Sequence, residues 1–190
     1  RSLVVYRSAL RVEARGGRVE LRALTAGGEA LLATLRPRFE GWEQRSSREA
    51  TVYFQTARDE PDEEVRLFAP SVLDVPRCLA GLGASGFVPL GLPVATGVFG
   101  YELIDNFEPL PPSPSQQDDG FPDYVFWVPE AVATIDHATH TTTFARLLFG
   151  PADGASLERQ VNDARRELEH ALQLLVVELA LERGHLRRVA

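Results

Sequence analysis

The chain reads as a layered α+β domain built on a largely antiparallel sheet. Three observations predict it: short runs of apolar and polar residues alternate with period two, glycine turns join neighbouring runs, and isolated stretches at helical spacing separate them. A doubly wound parallel sheet would need strand and helix to alternate regularly, and they do not. With 190 residues, 44% of them apolar, the chain can fill a real core.

Leu3 to Ala14 forms an apolar, β-branched strand that Arg15-Gly16-Gly17 turns into Arg18 to Leu24. In the second run Val19, Leu21 and Ala23 share one face and Arg18, Glu20 and Arg22 the other, the pattern of a hairpin with one wet side. After Ala26-Gly27-Gly28, Leu31, Leu32 and Leu35 stand at helical spacing until Pro37 stops them. Residues 40 to 64 read as charged and broken, with a strand at Thr51 to Thr56 and a solvated acidic loop at Asp59 to Glu64. A second helix starts near Ser71 and Asp74, with Pro76 in its first turn and Gly81, Gly83 and Gly86 marking its end.

A strand through Val98 and Phe99 ends near Tyr101, and Glu102 to Phe107 is expected to make one helical turn. Pro109, Pro111, Pro112 and Pro114 then stop regular structure, and Pro112 to Gly120 is expected to be a mobile loop. Tyr124 to Trp127 and Ala131 to Ile135 are apolar strands, interrupted or bent at Pro129. Asp136 to His140 turns the chain into a last strand, Thr141 to Phe149. Beyond Gly150-Pro151, the residues Leu157, Val161, Ala164, Leu168, Leu172, Leu175 and Leu179 step by three and four, which predicts a long amphipathic helix against the sheet.

A formal charge of −7 without a basic stripe excludes a general phosphate-backbone binder. Every basic residue is arginine, which reflects a coding bias rather than a binding design. The lone Cys78 makes no internal disulfide, and no signal peptide or run of membrane-spanning length is visible, so the expected compartment is the cytoplasm with no membrane contact. The chain opens on Arg1 and contains no methionine, which suggests a piece of a longer protein.

The chemistry-bearing residues form no furnished site. Asp136, His137 and His140 are the nearest to a metal set, but they sit in a turn and lack a third ordered donor type. His170 and His185 read as exposed. Glu102 and Glu108 bracket the elbow after the Gly97 strand and read as a turn cap and a rim charge. Ser8, Ser71 and Cys78 have no nucleophile context, and the G-x-G-x-x-G over Gly81 to Gly86 ends a helix instead of opening one. The aromatics Phe99, Tyr101, Phe107, Phe121, Tyr124, Phe126 and Trp127 could stack a ring but read as core.

Five motifs in order resemble the amino-terminal domain of anthranilate synthase component I. They are the opening hairpin and helix from Ser2 to Leu35 with Gly-Glu-Ala-Leu-Leu at Gly28 to Leu32; Ser71, Val72, Asp74 and Arg77; Gly100 to Leu103 with Phe107 to Pro111; Pro122-Asp123; and Asp136-His137. Aminodeoxychorismate synthase component I, of the p-aminobenzoate branch, shares the Gly-Tyr-Glu-Leu region and remains an alternative, as does a free-standing amino-acid-binding or interaction module. The resemblance places all of residues 1–190 in one amino-terminal domain of a layered α/β sandwich. It implies an enzyme that converts chorismate and ammonia to anthranilate and pyruvate, feedback-inhibited by tryptophan. It further implies that Mg²⁺ and every catalytic residue lie in a carboxy-terminal portion outside this chain, which alone would be inactive and bind no cofactor or metal. The implied partners are that portion, a glutamine amidotransferase component II and tryptophan, with no nucleic acid. Arg1 aligns with a cation of the family's tryptophan site, where a guanidinium would grip a free carboxylate.

Overall fold

The computed structural model describes residues 1–55, 62–84, 95–108, 121–150, 158–170 and 172–173, the side chains at 66, 67, 83, 84 and 102 excepted. The chain divides into two compact units: Arg7–Glu130, and Arg1–Tyr6 with Ala131–Ala190. The two long strands, β1 (Ser2–Arg15) and β6 (Tyr124–Asp136), supply residues to both.

In the first unit, β1 pairs with β2 (Arg18–Ala23), β2 with β4 (Glu49–Tyr53), and β4 with β3 (Trp42–Gln44), all antiparallel. The strand order is β3-β4-β2-β1-β6-β5, with β5 (Thr96–Phe99) at the far edge. Register explains the core. Val12 lies opposite Leu21, Ala14 opposite Val19, Leu21 opposite Ala50 and Val19 opposite Val52, so one face is continuously apolar and buried. The other face alternates charge. Arg11, Glu13 and Arg15 lie opposite Arg22, Glu20 and Arg18, and Glu13 is buried between ion pairs to Arg11 and to Arg15 at 2.8 Å.

Helix α1 (Ala26–Leu35) begins earlier than its apolar cluster suggests. Thr25 caps it by accepting from the Gly28 N–H at 3.2 Å, and the two glycines lie inside its first turn. Gly28 is there for space: a Cβ would stand 2.0 Å from the Ala9 carbonyl oxygen of β1. Pro37 falls in a short 3-10 turn, Arg36–Arg38, that ends the helix. Two elements in residues 40 to 64 have no periodic signal: β3, and α2 (Glu63–Phe68), whose start Asp62 caps by accepting from the Glu64 and Val65 N–H groups at 2.9 and 3.3 Å. Glu63 and Glu64 are therefore first-turn helical residues and not loop, a placement the positive end of a helix favours.

Helix α3 (Asp74–Ala84) begins as expected, with the Ser71 N–H donating to Asp74 Oδ2 at 2.9 Å. Gly81 and Gly83 lie in its last described turn, and the helix is described to Ala84, inside the glycine run expected to mark its end. Gly86 falls outside the described residues, as do Thr56, the loop from Pro112 to Gly120, Leu157, His185 and the apolar run Leu174 to Leu181. After β5, a 3-10 turn over Tyr101–Asn106 makes the elbow.

Pro129 does not break β6. The strand pairs with β5 over Tyr124 to Trp127 and with β7 (Thr141–Arg146) from Ala131 onward, and Pro129 falls in the gap between these two pairings. In the second unit β6 and β7 form a hairpin whose turn holds His140 at φ 54°. The last helix, α4, is described over 158–170; Ala164 is buried, Val161 and Leu172 are exposed, and Glu167 reaches Arg146 of β7 at 2.9 Å.

Gly16, at φ +57° with open space around it, and Gly28, crowded by backbone, test two separate constraints. Gly28→Ala is expected to cost roughly 1–3 kcal/mol through overpacking, and Gly16→Ala about 1 kcal/mol through the left-handed backbone. Urea unfolding measures both, and a Gly28→Ala protein as stable as the parent would contradict the close approach of α1 to β1.

Candidate functional site

Arg1 precedes β1 and meets the end of β6. Its Nε donates to Asp136 Oδ2 at 2.9 Å, and the neighbouring Ser2 Oγ lies 2.8 Å from His137 Nε2. Asp136 closes the β6–β7 turn with its other oxygen, accepting from the Ala138 and Thr139 N–H groups at 3.0 and 3.3 Å. The Arg1 hydrogen bond, then the Thr139 and Ala138 N–H groups, hold the Asp136 carboxyl below its ordinary value. Arg1 is thus an exposed cation already paired with a protein carboxylate. The pairing uses Nε, and a guanidinium has further N–H donors with which a second carboxylate could pair.

A second convergence lies in the other unit, at the start of β6. The Asp123 N–H donates to the Ala14 carbonyl at 2.9 Å, and its own carbonyl accepts from Gly100 at 2.7 Å. Its carboxylate Oδ2 accepts from the Gly16 N–H at 2.7 Å and from Asn106 Nδ2 at 2.9 Å. Burial pushes this carboxyl above its ordinary value against the pull of Asn106, Gly16 and Arg15, and Asp105 adds to the push. The next residue, Tyr124, is fully buried and donates its hydroxyl to the Val72 carbonyl at 2.7 Å, just ahead of α3. Burial drives its phenol far upward, so it stays a donor.

The aromatic cluster is not uniformly core. Tyr124 is buried, with Phe99 and Phe126 edge-on or tilted against it at 6.1 and 5.3 Å, while Phe126, Trp127 and Phe107 are half-buried. Phe99, Tyr101 and Phe121 are exposed. Period two identifies the side of a strand but not whether anything covers it.

Among the described residues no three His, Cys, Asp or Glu side chains gather to hold a metal ion. His137 and Asp136 are taken up by Ser2 and Arg1; His140 and His170 are exposed. Glu108 is an exposed rim residue, and the Glu102 side chain lies outside the described ones. A groove of about 1250 Å³, which no sequence signal announces, is lined by Phe39, Phe54, Val65, Pro70 and Cys78. Its Arg77 is tied to Asp74 at 2.8 Å. No helix among the described residues is long and apolar enough to cross a membrane.

No family model matches the chain. Curated relatives do. Anthranilate synthase component 1 of Vibrio cholerae is 32% identical over 183 residues, 92% of this chain and 34% of the relative. The chain is homologous to part of anthranilate synthase component 1. The pyocyanine-specific anthranilate synthase component 1 of Pseudomonas aeruginosa is 34% identical over 91% of the chain and 32% of its own length. The Escherichia coli component 1 is 32% identical over 93% and 34%. The chain therefore spans about a third of the length of these anthranilate synthase subunits.

The two aspartates respond oppositely to pH. Asp136, held low, contributes stability above the ordinary carboxylate range that is lost as pH falls through its lowered value. Asp123, held high, binds a proton more readily in the folded chain, so its contribution is lost as pH rises through its raised value. Carboxyl NMR titration should place the Asp136 midpoint below that of Asp123. Arg1→Ala should raise the first without abolishing its depression, since the turn N–H groups remain, and Asn106→Ala should raise the second further. Coincident midpoints would refute both assignments.

Proposed function

We propose that these residues are the amino-terminal, regulatory and scaffolding portion of an anthranilate synthase component 1 subunit, which converts chorismate and ammonia to anthranilate and pyruvate in tryptophan synthesis. The observation that supports it best is the alignment of nine-tenths of the chain with one third of several subunits of that name. The Asp123 and Asp136 carboxylates are engaged by backbone N–H groups and by the side chains of Asn106 and Arg1. Chorismate, Mg²⁺ and the catalytic groups belong on this reading to the remainder of the subunit, and a glutamine amidotransferase component II supplies the ammonia. Tryptophan is the effector, and Arg1 meets its carboxylate while Asp136 keeps the guanidinium aimed.

Anthranilate fluorescence from chorismate, ammonia and Mg²⁺ provides the test. Residues 1–190 alone should give none and the full-length subunit should turn over; product from residues 1–190 alone would overturn the placement of the active site, and p-aminobenzoate precursor in place of anthranilate would move the protein to the other branch. In the full-length subunit Arg1→Ala should raise the tryptophan concentration for half-inhibition about tenfold, the effect of losing one charge-assisted hydrogen bond. An unchanged inhibition curve would remove Arg1 from the effector site.

A further inference from the structure

Arg1 and Asp136 place a cation and an anion side by side, and neither is used up by the other. The Arg1 side chain is 78% exposed and its Nε donates to Asp136 Oδ2 at 2.9 Å; a guanidinium carries five N–H donors in all. Asp136 is held independently of that bond. Its Oδ1 accepts from the Ala138 and Thr139 N–H groups at 3.0 and 3.3 Å, so the turn backbone fixes the carboxylate, and Oδ2 keeps a second lone pair beside the one that Arg1 takes. On the next rung Ser2 Oγ lies 2.8 Å from His137 Nε2 and ties the start of β1 to the same turn. As a structural bond an exposed ion pair of this kind contributes little. As a pair of neighbouring charges it is the complement of an α-amino acid, which carries a carboxylate and an ammonium on one carbon.

On the reading of tryptophan as the effector and Arg1 as the cation that meets its carboxylate, we infer that Asp136 accepts a hydrogen bond from the effector's α-ammonium and so selects a free amino acid over a carboxylic acid of the same shape. Arg1 by itself would grip either carboxylate. The Asp136 carboxylate repels an anionic ligand that brings no ammonium, and it attracts one that does, so a single side chain supplies both halves of the discrimination. Because the Ala138 and Thr139 amides hold Asp136, the carboxylate stays in place when Arg1 turns its remaining donors to the ligand. This role differs from merely aiming Arg1, which would serve every carboxylate equally.

Calorimetry on the full-length subunit with tryptophan and with indole-3-propionate, which keeps the ring and the carboxylate but lacks the amino group, separates the two roles. The parent should bind tryptophan at least about tenfold more tightly than indole-3-propionate, the effect of one charge-assisted hydrogen bond. Asp136→Asn removes the charge and keeps an oxygen for the turn amides. It should weaken tryptophan about tenfold and leave indole-3-propionate as tight as in the parent or tighter, and retained binding of the second ligand shows that the variant has folded. Where Asp136→Asn does not fold, Asp136→Ser, which also offers the turn an oxygen, reads the same ratio. Equal weakening of both ligands by a folded variant would overturn the inference and leave Asp136 as the residue that aims Arg1. A parent that binds the two ligands alike would overturn it as well. Arg1→Ala should weaken both together. A parent that binds no tryptophan refutes the effector reading and this inference with it, whereas an unchanged ratio in Asp136→Asn refutes this inference alone.

Discussion

The Arg7–Glu130 unit depends on a two-residue hinge between backbone and core, Asp123-Tyr124. Asp123 ties the turn of the opening hairpin, the carbonyl of Ala14, the amide of Gly100 and the side chain of Asn106 to the start of β6. Tyr124 then fastens the entry of α3 through one buried hydroxyl. Segments separated by more than a hundred residues, and by fifty, are brought into register by adjacent side chains. A buried hydrogen-bonded group of this kind is costly to leave half-made, because the partner loses water without gaining a bond. At Asp123 burial pushes the carboxyl up against the pull of Asn106, Gly16 and Arg15.

That hinge also sets the character of the aromatic elbow. Fixing the Gly100 amide fixes where β5 stops and the 3-10 turn starts, and so leaves Phe99 with one edge against Tyr124 and Phe126 and the rest outside. In the other unit Asp136 plays a smaller version of the same part, closing a turn with one oxygen and holding Arg1 with the other. Both aspartates organise chain.

Much of the fold was legible in order. The hairpin, the faces of β2, the start of α3, the β5 strand, the elbow and the β6–β7 hairpin follow from period, glycine turns and caps. The misses share a cause. β3 and α2 are too short to display a period, and their signals are single polar residues such as Asp62. Pro129 mimics a strand break, yet it falls in the gap between the β5 and β7 pairings and β6 runs through it.

What the sequence by itself determined was local: which residues pair across a turn, which side of a strand is apolar, and, through five motifs in order, which subunits the chain resembles. What only the tertiary structure decided was who meets whom across distance. It spends Arg1 on Asp136 and Asp123 on Gly16 and Asn106, and it leaves Phe99 and Tyr101 uncovered while burying Tyr124. Periodicity carries the direction of a side chain, whereas burial depends on whether another surface arrives, and that is a property of the assembled chain.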